Sequence, residues 1–246
     1  MSKKNEWTTV LVAAAMLGLA AGQARAGKYE EVELKEGGTI VGVVNFEGEP
    51  PKRRKLQVTT DIEPCGRKPI LNDDLVVSED LKVRWVLASI EKISSGKPFA
   101  AEDPENPVQL DQIGCRFRPH VVIVPEDRTL QILNRDGILH NVHIWATKND
   151  TFNRAMPGRV TSMDVSFDRE ERIRVSCDVH KWMGAWIVVA EHPYYAVTGE
   201  DGTFRLENVP AGTHTVKIWH EKLGKQEKEV TVRPGQETRV EFALKQ

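Results

Sequence analysis

Cys177, His180 and Met183 stand three residues apart in the stretch VSCDVHKWMGAW. A thiol, an imidazole and a thioether on one short turn are the donors of a soft or borderline metal. LHNVHIW, far upstream, offers another imidazole, His140. In RIRVSC, strand alternation puts Ile173, Val175 and Cys177 on one face, so the thiol points inward with apolar side chains. In LHNVHIW, His140 shares a face with Val142 and Ile144 and also points inward, with His143 opposite. Two imidazoles, one thiolate and a weak axial thioether form the trigonal set that selects copper and holds it in electron-transfer geometry. Asn141 adjoins His140 on the other face, where its amide can bond the backbone of the ligand loop and orient it. The competing readings are a structural thiol for Cys177 and core packing for Met183. A zinc reading would need a harder fourth donor than Met183.

The elements that must position these residues are strands. Helical periodicity is nearly absent after residue 26. Short alternating or apolar runs such as TIVGVVNF, HVVIV, RIRVSC, AWIVVAE, HTVKIW and TRVEFAL follow one another, separated by Gly, Pro, Asn and Asp. That density of strands and turns predicts an all-β sandwich or barrel. The Pro- and acid-rich stretch KPFAAEDPENPVQLDQ reads as a connection. It divides an N-terminal β segment, 27–105, from a strand-rich block with the metal-type residues, 106–192. The Asp-Gly and Pro-Gly turns of TGEDGTF and VPAGTH mark a third block, 193–246. The N-terminal segment has too few strands to close a sandwich alone, so it is expected to pair with the third block. The middle block is then an insertion in a discontinuous domain.

Residues 1–26 combine Lys3 and Lys4, a short apolar run and the small-residue ending ARA, the layout of a cleavable secretory signal. Export to the periplasm and no membrane span after cleavage are the expectations. The formal net charge is −2, and the only basic run, PKRRK at 51–55, follows GEPP and reads as a solvated loop. No basic face for nucleic acid is expected. Three cysteines in an exported chain leave one odd thiol. The simplest partition joins Cys65 to Cys115 and leaves Cys177 as a ligand. His120 could approach His143 and make a second metal site, although the alternation favours a surface role for His143. No nucleophile elbow, zinc-protease helix or phosphate loop is present, so no enzyme is expected.

LHNV followed by CDVHKWMG resembles the cupredoxin, or blue copper, family, with a short loop most like that of amicyanin. The likeness covers about residues 113 to 192, although DREE stands where the family's usual Pro-Gly turn would be. It implies a Greek-key sandwich and one type 1 copper on His140, Cys177, His180 and Met183, with Asn141 supporting them. It also implies a single-electron carrier between redox proteins, such as a c-type cytochrome or a periplasmic dehydrogenase, with His180 as the exposed exit edge. The stretch AVTGEDGTFRLENVPAGTHTVKIWHE resembles carboxypeptidase regulatory-like domains, which are transthyretin-like β-sandwiches. Periplasmic proteins combining both modules, some called methylamine-utilisation proteins, are similar in layout. Copper delivery or storage, or a structural module with incidental metal, are the alternative functions.

Overall fold

The structure is a computed structural model that describes residues 28–246. The export segment expected over 1–26 lies outside the described residues. Almost all regular structure is β, and the strands form two sandwiches.

The first sandwich opposes a five-stranded sheet and a four-stranded sheet. The larger runs in the order Phe152–Met156, His140–Trp145, Glu171–Ser176, Gly184–Ala190 and Val121–Pro125. The smaller runs Ser162–Val165, Leu130–Asn134, Val108–Gln112 and Phe117–Arg118. Alternation decides which side chains meet between them. Val142, Ile144, Ile173, Val175 and Ile187 from one sheet face Leu110, Leu130 and Ile132 from the other, all fully buried.

The second sandwich is built from both ends of the chain. Gly38–Phe46 lies between Thr203–Val209 and Glu237–Leu244, while Leu87–Ile90 lies between Tyr195–Val197 and Gly212–His220, with Gly224–Val232 outside. Gly38–Phe46 buries every second residue, the pattern of a strand with one face on a core. Gly42 is required there: a Cβ at this position would collide with the ring of Phe204. The core comprises Ile40, Val44, Ala88, Phe204, Val216, Ile218 and Phe242.

The N-terminal segment does not act as one block. Its strands join the second sandwich, but the excursion 52–74 between them crosses to the first. Leu56 and Val58 pack there beside the buried Cys65 and Ile70. Cys65 is disulfide-bonded to Cys115, and Asp73 pairs with Arg53 and Arg116. Arg53 of the basic run is therefore paired rather than free in solvent. The sandwiches meet over Leu87, Val121 and Val188. Beside them, Trp186 and Trp219 stack edge to face at 4.9 Å and the Arg172 guanidinium lies 5.0 Å over Trp219. Among the described residues no helix is long and apolar enough to cross a membrane.

Candidate metal centre

His140 opens its strand, and Cys177 directly follows the strand Glu171–Ser176 paired beside it. The register Ser176↔His143 and Val175↔Ile144 carries His140 past the strand end toward Cys177. His180 and Met183 lie in the turn between Glu171–Ser176 and Gly184–Ala190. That turn is closed by the Met183 N–H donating to the His180 carbonyl (2.8 Å).

The structure brings His140, Cys177 and His180 together at one pole of the first sandwich. One donor atom from each lies within 4.8 Å of the others, and all three residues are buried. The Cys177 Sγ is 4.0 Å from His140 Nδ1 and 3.8 Å from His180 Nδ1, and the two nitrogens are 2.9 Å apart. Metal bonds of about 2.3 Å to sulfur and 2.0 Å to nitrogen, spread trigonally, separate sulfur from nitrogen by about 3.7 Å. The sulfur–nitrogen spacings fit an ion between these donors; the nitrogens would open by a few tenths of an ångström. Met183 is buried in the same core cluster as Cys177.

The surroundings hold the Cys177 thiol low. Burial pushes the Cys177 thiol up, but His140 and the N–H groups of Asn141 (3.5 Å) and His180 (3.4 Å) outweigh it and hold it below its ordinary range. Burial pulls His140 down, yet Asp136 and Cys177 push it up to about 9. Burial holds His180 low, against the pull of Asp61. His140 and Cys177 thus favour each other's charged forms, and a metal bound here would have to displace any proton held between them.

Both imidazoles present Nδ1 to the sulfur because a carboxylate engages each Nε2. His140 Nε2–H donates to Asp136 (2.9 Å) and His180 Nε2–H donates to Asp61 (2.9 Å). Asp136 is itself held by the N–H groups of Gly114 (2.6 Å) and Cys115 (2.8 Å). Such carboxylates fix the tautomer and raise the basicity of the donating nitrogen. Asn141 Oδ1 accepts from the N–H of Asp178 (2.6 Å) and of Val179 (3.2 Å), and its Nδ2 donates to Asn153 (2.6 Å). Its amide thus bonds the ligand loop directly.

The exposed exit edge expected at His180 is absent. His180 is 0% exposed. Asp61, from the excursion, covers its Nε2, and Trp182 packs against its ring at 5.0 Å while donating to the Cys115 carbonyl (3.1 Å). Asp61 has a left-handed backbone (φ 47, ψ 48), which aspartate tolerates. It precedes the helix Ile62–Gly66, pinned by the Cys65–Cys115 bridge. Nothing in the sequence around Asp61 signals this role. Asp136 was more accessible to reasoning, since it sits four residues before His140 across a Gly-containing turn. His120 and His143 do not meet, in keeping with the surface role that alternation favours for His143. His143 faces Asp178 (3.2 Å) and stacks on Trp145 at 3.9 Å, whereas His120 contacts Glu221.

Residues 183–245 match the family model of the carboxypeptidase regulatory-like domain. The match begins inside the first sandwich, since Gly184–Ala190 pairs with Glu171–Ser176 and Val121–Pro125. It omits Gly38–Phe46 and Leu87–Ile90, which the second sandwich also uses. No curated protein sequence matches the chain. Among solved structures, the chain is similar to a copper-containing nitrite reductase from Thermus scotoductus SA-01, at 21% identity and TM-score 0.33 over 38% of this chain and 25% of that one. It therefore spans about a quarter of that enzyme. A reduced Cu(I) amicyanin variant is similar at 23% identity and TM-score 0.32, over 42% of this chain and 98% of that one. A purple cupredoxin from Nitrosopumilus maritimus is similar at 17% identity and TM-score 0.29, over 34% of this chain and 99% of that one. The chain is thus similar to the carboxypeptidase regulatory-like domain over residues 183–245, and cupredoxins are among the solved structures it resembles.

Proposed function

We propose that this chain is a periplasmic, non-enzymatic carrier of single electrons with one type 1 copper. His140, Cys177 and His180 would hold the ion, with Met183, from the same core cluster, as a weaker fourth donor. The supporting observation is the convergence of one thiolate and two Nδ1 atoms in a buried pocket, with two backbone N–H groups directed at the sulfur. Copper bound there supplies a one-electron couple. The chain's residues do the rest. Asp136 and Asp61 orient the imidazoles, Asn141 holds the loop, and Trp182 excludes water. A rigid cradle that changes little between oxidation states keeps reorganisation small. Redox proteins such as a c-type cytochrome or a periplasmic dehydrogenase are the proposed partners.

The test is colour. Chain loaded with one equivalent of Cu(II) should turn intensely blue, green or purple from thiolate-to-copper charge transfer. A pale product with ordinary tetragonal copper resonance would refute the carrier.

A second reading, copper storage or delivery, draws on one specific observation: the cover of Asp61 and Trp182 over His180. It predicts preferential Cu(I) binding and transfer of copper to an acceptor chelator faster than electron exchange.

A further inference from the structure

A second group of metal-type donors lies where three stretches of chain meet. Asp74 ends the excursion 52–74, His120 directly precedes the strand Val121–Pro125, and Glu221 follows the strand Gly212–His220 of the second sandwich. One donor atom from each lies within 4.8 Å of the others. His120 is 4% exposed, and its Nε2 contacts the Glu221 carboxylate. Asp74 accepts from Asn72 Nδ2 (3.1 Å), and the half-exposed Lys222 ammonium approaches it at 3.2 Å. Two carboxylates here share one flexible ammonium and one imidazole.

His220 supplies an independent observation. It is 1% exposed, and its Nε2 has no hydrogen-bond partner. Its Nδ1 accepts from the Lys222 N–H (3.2 Å), so in the neutral ring Nε2 carries the proton. A buried donor without an acceptor is costly. His220 is bonded directly to Glu221 along the chain, and the Lys222 N–H bond to its Nδ1 holds the ring against the turn that carries Glu221. A water in the coordination shell of a bound cation would give Nε2–H its acceptor.

We propose that Asp74, His120 and Glu221 form a second site, for a divalent cation of the zinc class, that ties the capping excursion and the two sandwiches together. One imidazole and two carboxylates suit such ions, and the lack of sulfur separates this site from the Cys177 pocket. The cation neutralises both carboxylates, and Lys222 swings out to solvent. The ion would also steady the ligand loop, because the His120 carbonyl accepts from the Trp186 N–H (2.9 Å), three residues past Met183.

The test titrates Co(II), a visible stand-in for zinc, into the full metal-free chain. Two equivalents should bind, one with thiolate-to-cobalt charge transfer and one without. Glu221→Gln and His120→Asn should weaken the second equivalent at least tenfold while the charge-transfer band persists, which also reports that the variant is folded. Cys177→Ser should remove the band and leave the second equivalent. Lys222→Ala should tighten the second equivalent severalfold, an effect a plain His120–Glu221 ion pair cannot produce. Absence of any equivalent that binds without the charge-transfer band, or such an equivalent indifferent to Glu221→Gln and His120→Asn, would overturn the proposal. Loss of the band alone would count against the copper reading and not against this one.

Discussion

An imidazole that donates Nε2–H to a carboxylate is a better donor at Nδ1, and the negative charge favours the more highly charged metal state. His140 and His180 are both so placed, through Asp136 and Asp61. Asp61→Asn keeps an acceptor for His180 but removes the charge. The reduction potential should then rise, by on the order of 60 mV for each ~1.4 kcal/mol of differential stabilisation removed. Redox titration of the copper-loaded variant reads this, and an unchanged potential would mean that Asp61 acts only as a cover. Asn141 is tested differently. Asn141→Ala leaves the N–H groups of Asp178 and Val179 without their acceptor. Copper affinity should fall about 10- to 100-fold in chelator competition, with little change in the position of the charge-transfer band.

At the scale of elements, two short devices hold the pole of the first sandwich. The Cys65–Cys115 bridge spans 50 residues, worth about 4 kcal/mol in the chain-entropy model. It also pins the helix that follows Asp61. Cys65→Ala with Cys115→Ala should lower the stability measured in denaturant and let a small reductant reach the copper faster. The Glu171 carboxylate ties down the turn after the strand His140–Trp145, accepting from the N–H groups of Thr147 (2.6 Å), Lys148 (3.0 Å) and Asn149 (3.1 Å). Burial pushes its carboxyl up, but these bonds and those from the Thr147 and Asn149 side chains bring it down to about 2. A depressed folded-state value means that its stabilisation is present above the unfolded value near 4.3. It is lost as pH falls from there toward 2. Glu171→Gln should cost roughly 2–3 kcal/mol at neutral pH and flatten this acid-side decline, as read from urea unfolding at several pH values.

At the scale of the molecule, the second sandwich takes Gly38–Phe46 and Leu87–Ile90 from before the first sandwich and the remaining strands from after it. A chain ending at residue 192 would leave Gly38–Phe46 with two unpaired edges and an uncovered apolar face. It should be insoluble or aggregated in size-exclusion chromatography; a well-folded monomer would contradict the shared sandwich. Strand alternation in the sequence was enough to turn His140 and Cys177 inward, because a period of two leaves only two faces to choose between. It also placed Asn141 beside the loop. The cover over His180 was not legible, because Asp61 lies 119 residues away and reaches the ring through a single left-handed residue in a chain excursion. Side-chain periodicity carries no information about such a crossing. The partner of His120 was not legible for a similar reason, since Glu221 and Asp74 come from other parts of the chain.

The central claim is that Cys177, His140 and His180 hold one copper. X-ray absorption at the copper edge, on full chain loaded with one equivalent of Cu(II), tests it most directly. The account predicts one short copper–sulfur path and two copper–nitrogen paths, with the sulfur path lost in Cys177→Ser. A spectrum with nitrogen and oxygen scatterers alone, unchanged by Cys177→Ser, would contradict it.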